Sequence, residues 1–250
     1  MSTFATIRKL GFDTETTATD PNEARIVTAA LIVRGGNRPD HTMTWLINPG
    51  VPIPPETTEI HGIDDARAQA EGQDPATALE ELADRLAQAL TYGMPVIAYN
   101  LSYDWTVLHC ELQRHGLPTM AERVGAGPLP LVDPLVIDKQ VDKYVKGQGQ
   151  RKLKPTAERY DIALNDWHTA EADALAALLI AEAQFARHSQ LNSWAPADLF
   201  AAQQKWRAEQ QAGLQKWFRT KATPEQGGAP DKVIDGSWPL IIPAQRGESA

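Results

Sequence analysis

A chain of 250 residues, 42% hydrophobic and 22% charged, can build one full-sized soluble core with an appendage, and leaves little room for a second full domain. Its net charge of −8 argues against a protein that coats nucleic acid non-specifically, and the single cysteine, Cys110, excludes an internal disulfide framework or a thiolate zinc cluster and fits a reducing compartment. The longest unbroken apolar run, Ala174–Ala181, falls far short of the roughly 20 residues that cross a bilayer, and the opening MSTFATIRKL lacks the apolar core of an export signal, so no membrane partner is expected and the cytoplasm is the expected location.

The first fifty residues predict three strands: Ile7 to Glu15, Arg25 to Arg34 and His41 to Ile47. The turn formers between them, Asp20-Pro21-Asn22 and Gly35-Gly36-Asn37, make an antiparallel meander the natural arrangement. A Pro-rich connector follows, from Asn48 to Ala66. Further on, Asp74 as N-cap, Pro75 at the first helical position and Leu79, Leu82, Leu86 and Leu90 at helical spacing predict a helix ending near Gly93. A short strand, Pro95 to Tyr99, leads through Asn100 into a second amphipathic helix ended by Gly116. The run "LPLVDPLVID" reads as a strand, Lys154 to Tyr160 as a short helix, and about Thr169 to Arg187 as a longer Ala- and Leu-rich one. A last helix is expected near Ala197 to Thr220, before a Gly- and Pro-punctuated tail.

Three strands followed by alternating helix and strand imply an α/β architecture, a mixed sheet with helices on its faces. The expected organisation is a main domain over residues 1–189, a C-terminal helix over 190–221, and an extended tail over 222–250.

The chemistry starts at "GFDTET". Side chains alternate along a strand, so Asp13 and Glu15 share one face and Thr14 points to the other. Two adjacent carboxylates on an otherwise apolar strand need a compensating positive charge, and a hard divalent cation such as Mg²⁺ is the commonest. In "YNLSYDWTVL", Asp104 falls in the first turn of a helix, where the dipole alone would favour it, and Asn100 is either its N-cap or a functional group. In "HTAEADALA", His168 precedes a helix that contains Asp173. Each of these pieces has a bland reading on its own; their order is what gives them weight.

That order, D-x-E on the first strand, Asp on the middle helix and H-x4-D at the last helix of the sheet domain, resembles the DEDDh (DnaQ-like) 3′→5′ exonucleases of the ribonuclease H-like superfamily, the group of the epsilon proofreading subunit of bacterial DNA polymerase III. "FDTETT", "IPPETTEIHGI" and "RKLKPTAERYDI" add to the resemblance. The resemblance implies a ribonuclease H-like mixed five-stranded sheet, three antiparallel strands then parallel ones, with a C-terminal helical extension. It makes Asp13, Glu15, Asp104 and Asp173 the ligands of two Mg²⁺ or Mn²⁺ ions and His168 the general base. Such a pair of cations, about 3.5–4 Å apart, clamps the attacking and leaving oxygens of a phosphodiester. Thr169, where a sister group carries Tyr, favours the His branch. Ala18 and Tyr103 depart mildly from the family pattern, and Asp133 matches a position usually regarded as structural.

Substrate contacts are expected at Thr14, at Ile60 and His61 in the segment that would line the terminal-nucleotide pocket, and at Asn100. From Lys139 to Arg159 seven Lys or Arg stand against Asp142 and Glu158, which offers Lys146, Arg151 and Lys152 to phosphates unless the run is simply a solvated face. The C-terminal helix, with Trp206 and Trp217 among Lys205, Arg207, Lys216 and Arg219, either stacks single-stranded bases or packs on the domain. The expected partners are single-stranded or 3′-end DNA, or RNA, and a polymerase or other repair protein docking through the extension. An exoribonuclease, or a non-catalytic nucleic-acid-binding module of the same fold, is the alternative.

Overall fold

The computed structural model describes residues 4–163 and 168–241; residues 1–3, 164–167 and the last part of the expected tail, 242–250, lie outside the described residues. The chain opens with β1 (Lys9–Thr16), β2 (Ile26–Arg34) and β3 (His41–Leu46). The Pro-rich connector and the residues just after it, in which the sequence marks no element, form two short helices, α1 (Pro55–His61) and α2 (Asp65–Glu71). Gly62 ends the first in a left-handed conformation, φ 74°, and the Asp64 side chain caps the second by accepting from Arg67 N–H. Then come α3 (Pro75–Thr91), β4 (Val96–Ile97), α4 (Leu101–Arg114) and α5 (Met120–Val124). They are followed by β5 (Leu131–Val132), α6 (Pro134–Val141), α7 (Leu153–Arg159), α8 (Ala170–Arg187) and α9 (Pro196–Thr220).

The five strands form one sheet in the order β3-β2-β1-β4-β5, antiparallel from β3 to β1 and parallel from β1 to β5. The apolar run from Leu129 to Asp138 differs from the single strand expected of it. Only Leu131 and Val132 pair with β4, because Asp133 accepts from Leu135 and Val136 N–H and Pro134 occupies the first helical position, starting α6.

Each sheet face has its own core. Leu10, Phe12 and Leu31 pack with Leu79, Leu82, Leu86, Leu108 and Leu112 of α3 and α4 on one side. Ala30, Ile32, Ile97 and Val132 meet Ala174, Ala177, Leu178 and Ala181 of α8 on the other. The small residues bring α8 very close to β1: a Cβ placed on Gly11 would lie 2.7 Å from the Leu178 side chain and 2.8 Å from the Ala174 carbonyl oxygen. Strand β2 is largely buried on both faces, which is why Ala29 to Val33 run apolar instead of alternating.

Helix α9, expected as an extension, lies on β5 and α6, with Trp206 packed against both cores. The described part of the tail also differs from a free extended segment. It runs back along α9, where Ile234 N–H donates to Gln215 Oε1 at 2.9 Å, buries Trp238 against Phe200 and reaches α4 at Thr106. Among the described residues no helix is long and apolar enough to cross a membrane.

Candidate active site

The carboxylates gather where β1 ends. Asp13 and Glu15 lie on the face of β1 that packs against α8, opposite Ala30 and Thr28 of β2, and a bulge between Glu15 and Thr16 ends the regular ladder. Thr169 caps α8 by accepting from Ala172 N–H, which sets Asp173 in the first turn of that helix. One carboxylate oxygen from each of Asp13, Glu15 and Asp173 lies within 4.8 Å of the other two. Asp104, buried in the first turn of α4, joins them from the other side, its Oδ1 accepting from Thr14 N–H at 3.0 Å and Thr14 Oγ1–H at 2.7 Å.

Crowding acids together in a poorly hydrated place disfavours their ionised forms. Burial first, then the charges of Asp104, Asp173 and Glu15, push Asp13 well above the ordinary carboxylate range. Burial and the charges of Asp173 and Asp104 raise Glu15 to about 7. Burial raises Asp104 to about 7 against the opposing pull of the two Thr14 hydrogen bonds. Asp173 is raised by burial, an effect offset in part by a hydrogen bond from the His168 backbone and by the charge of His168.

Among the described residues no Lys or Arg forms an ion pair with any of these four acids. Asp173 Oδ1 is buried without a hydrogen-bond partner. A cluster of oxygen donors, one of them orphaned, with no protein cation to balance it fits a hard divalent cation.

His168 stands just before α8, exposed and at a left-handed φ of 64°, and its ring makes no hydrogen bond to another described residue. Beside Glu15 opens a cleft of about 270 Å³, lined among others by Thr28, Trp45, His61, Arg67 and Glu171. His61 Nδ1 accepts from Ile63 N–H at 3.1 Å, its Nε2 is buried without a partner, and burial lowers its pKa. Ile60 is exposed on α1 and does not line this cleft. Asn100 occupies the N-cap position of α4 at φ 62°, but its side chain makes no capping bond.

The basic stretch divides in two. Lys146 and Lys152 are exposed. Arg151, expected at phosphates, is instead paired with the fully buried Asp138, which also holds Arg159 at 2.8 Å and the Tyr160 hydroxyl. A buried carboxylate needs such partners, so these arginines serve the fold. Arg67 and Trp45 of the cleft were not among the expected site residues. Arg67 sits just past the Pro-rich connector, in a short helix whose face no periodicity reveals, and Trp45 reads simply as a strand aromatic.

A family model described as an exonuclease family, RNase T, matches residues 10–181. The chain belongs to this RNase T exonuclease family. Its DnaQ-like character, expected from the motifs, agrees with the curated relatives. The chain is 29% identical over 165 residues to the PolC-type DNA polymerase III of Streptococcus thermophilus, a match covering 65% of this chain and 10% of that protein. It is 29% identical over 128 residues to the PolC-type DNA polymerase III of Streptococcus sanguinis, covering 51% of this chain and 8% of that protein. The chain thus spans about a tenth of the length of these relatives. Among solved structures, E. coli exonuclease I in complex with a dT13 oligonucleotide superposes with a TM-score of 0.61 at 18% identity, over 74% of this chain and 42% of that one. Exonuclease I from Methylocaldum szegediense gives 0.59 at 22% identity, over 74% and 41%. At such identities these two speak for the shared ribonuclease H-like exonuclease fold.

Proposed function

We propose that this family member is a 3′→5′ exonuclease that hydrolyses nucleoside monophosphates from the 3′ end of DNA with the help of two Mg²⁺ or Mn²⁺ ions. The observation that carries the reading is the convergence of Asp13, Glu15 and Asp173, uncompensated by any described Lys or Arg, with Glu15 also lining a cleft. Together with Asp104 these carboxylates are the residues that would hold the ions. Bound there, divalent cations supply an acidified water and a counter-charge for the phosphodiester.

The chain's own residues do the rest. His168 accepts the proton of the attacking water on an imidazole nitrogen and releases it to solvent, a role suited to an exposed imidazole that stands beside Asp173. The cleft beside Glu15 receives the terminal nucleoside against His61, with Arg67 added to the residues expected there and Ile60 as an apolar contact at its approach. The exposed Lys146 and Lys152 meet backbone phosphates further along the strand. DNA is favoured as substrate because the curated relatives are named DNA polymerase III and the fold neighbour was solved with dT13. A polymerase or repair partner acting in trans, in the cytoplasm, belongs to the same proposal.

The test is a gel of 5′-labelled and 3′-labelled single-stranded DNA and RNA, run with Mg²⁺, with Mn²⁺, with chelator, and with Asp13→Ala. The reading expects a descending ladder from 5′-labelled DNA, immediate release of labelled mononucleotide from the 3′ label, and no product with chelator or the variant. Chelator-resistant cleavage, or shortening from the 5′ end, would overturn it. No cleavage of any strand under either metal would point to the binding module.

A further inference from the structure

The segment matched by the family model ends at residue 181, yet part of what fixes the Asp104 helix comes from beyond it. Asp133 is fully buried, and its Oδ1 accepts from the backbone N–H of Asn100 at 3.1 Å as well as from Leu135 at 2.9 Å. The first of these bonds is a tether on α4. Asn100 is the left-handed residue immediately before that helix and its side chain caps nothing, so the bond from its N–H to Asp133 ties down the first turn, where Asp104 sits.

Asp133 is held in turn by α9. The buried side chain of Gln203 accepts from Asp133 N–H at 2.7 Å through Oε1 and donates to the Leu131 carbonyl at 2.9 Å through Nε2. One amide thus satisfies the Leu131 carbonyl of the edge strand β5 and the N–H of Asp133 just after it. One turn further, Arg207, only 6% exposed, adds a positive charge that works against the desolvation of Asp133. A second fastening reaches the same helix from the tail. Ile241 N–H donates at 2.9 Å to Thr106 Oγ1, whose hydroxyl itself donates to the Ser102 carbonyl at 2.6 Å.

We propose that Gln203 is a positioning residue for the acidic centre: through Asp133 and Asn100 it fixes the first turn of α4, and the Ile241–Thr106 bond fastens that turn from the tail. The inference rests on Asp104 belonging to the centre described above. It makes α9 and the tail working parts of the site although neither touches it. Were Gln203 only a stabilising contact of the β5 edge, its loss would loosen the protein globally or around β5, without singling out α4.

The experiment is hydrogen exchange, without any metal, on the full chain carrying Gln203→Met, a substitution of similar length that forms neither bond. Exchange at the amides of Asn100, Tyr103 and Trp105 is expected to accelerate about tenfold or more while that of β2 stays within about threefold, the mark of a local opening. With Mg²⁺ and single-stranded DNA, kcat is expected to fall about tenfold with KM within about twofold. Unchanged exchange in α4, or acceleration in step with β2, overturns the proposal. If Gln203→Met does not fold, Thr106→Val is read by the same amides with the same two outcomes. Should the wild-type chain cleave nothing, the nuclease reading falls while the exchange data still decide the positioning role.

Discussion

Thr14 binds Asp104 twice, through its backbone N–H at 3.0 Å and its hydroxyl at 2.7 Å, and both bonds fall on the same carboxylate oxygen. Asp13 and Glu15 face α8 while the residue between them reaches through the opposite face to draw the acid of α4 to the end of β1. Thr14→Val keeps the shape and the backbone bond but removes the hydroxyl. A buried hydrogen bond to a charged group is worth roughly 1.5–3 kcal/mol, so urea unfolding should show a loss of about 1–2 kcal/mol and kcat should fall by about an order of magnitude. A variant with the stability and rate of the wild type would show that Asp104 is held by other means.

Gly11 sets how near α8 can come. A methyl at this position would press into Leu178 and the Ala174 carbonyl, and relief requires α8 to move outward and carry Asp173 away from Asp13. Gly11→Ala is expected to cost about 1–3 kcal/mol by overpacking and to reduce activity by more than its loss of folded protein explains. Gly213→Ala is the control: beyond its chain neighbours and the backbone of its own helix, no heavy atom lies within 4 Å of the added carbon, and in a helix the change should be neutral or stabilise by up to about 1 kcal/mol. Full activity in folded Gly11→Ala would contradict this account of the spacing.

Without divalent cations the acidic cluster should make stability fall as pH rises. Glu15 and Asp104 titrate at about 7 in the folded chain but near about 4 when unfolded, so between these values the folded state binds more protons. Their contribution is fully present below about pH 4 and is lost as pH climbs through about 7. Calorimetry in chelator should therefore give a lower Tm at pH 8 than at pH 5.5. Asp13→Asn should raise Tm at pH 8 and flatten the slope while abolishing cleavage. Excess Mg²⁺ should stabilise the wild type at pH 8 more than the variant. A wild-type Tm indifferent to both pH and Mg²⁺ would contradict the electrostatic picture.

How much of this could be read beforehand follows from the kind of signal each element carries. Alternation along "GFDTET" places Asp13 and Glu15 on one face, and they share the α8 side of β1. The periodic leucines of α3 and the small residues of α8 were equally plain. The "LPLVDPLVID" run reads as one strand because apolar runs do not distinguish strand from buried helix; Leu131–Val132 is strand, while Asp133 followed by Pro134 is itself a helix-start signal and opens α6. Helices α1 and α2 were missed because seven-residue elements show less than two turns of periodicity. The pairing of Arg151 with Asp138, and of Gln203 with β5, depends on contacts between distant parts of the chain that no local pattern encodes.

His168→Ala should slow hydrolysis by about 10²–10⁴-fold, the usual effect of losing a general base, and leave Mn²⁺ affinity within about twofold. Single-turnover rates and manganese titration by electron paramagnetic resonance separate the two effects. Equal rates would move the proton-accepting role to another group, and a parallel loss of Mn²⁺ would make His168 a ligand.

The central claim is that Asp13, Glu15 and Asp173, with Asp104 behind them, form a cation site. Anomalous diffraction from crystals soaked in Mn²⁺ tests it most directly. The account predicts manganese density within about 2–2.5 Å of carboxylate oxygens of Asp13, Glu15 and Asp173. Crystals that bind manganese elsewhere and leave these carboxylates without density would contradict it.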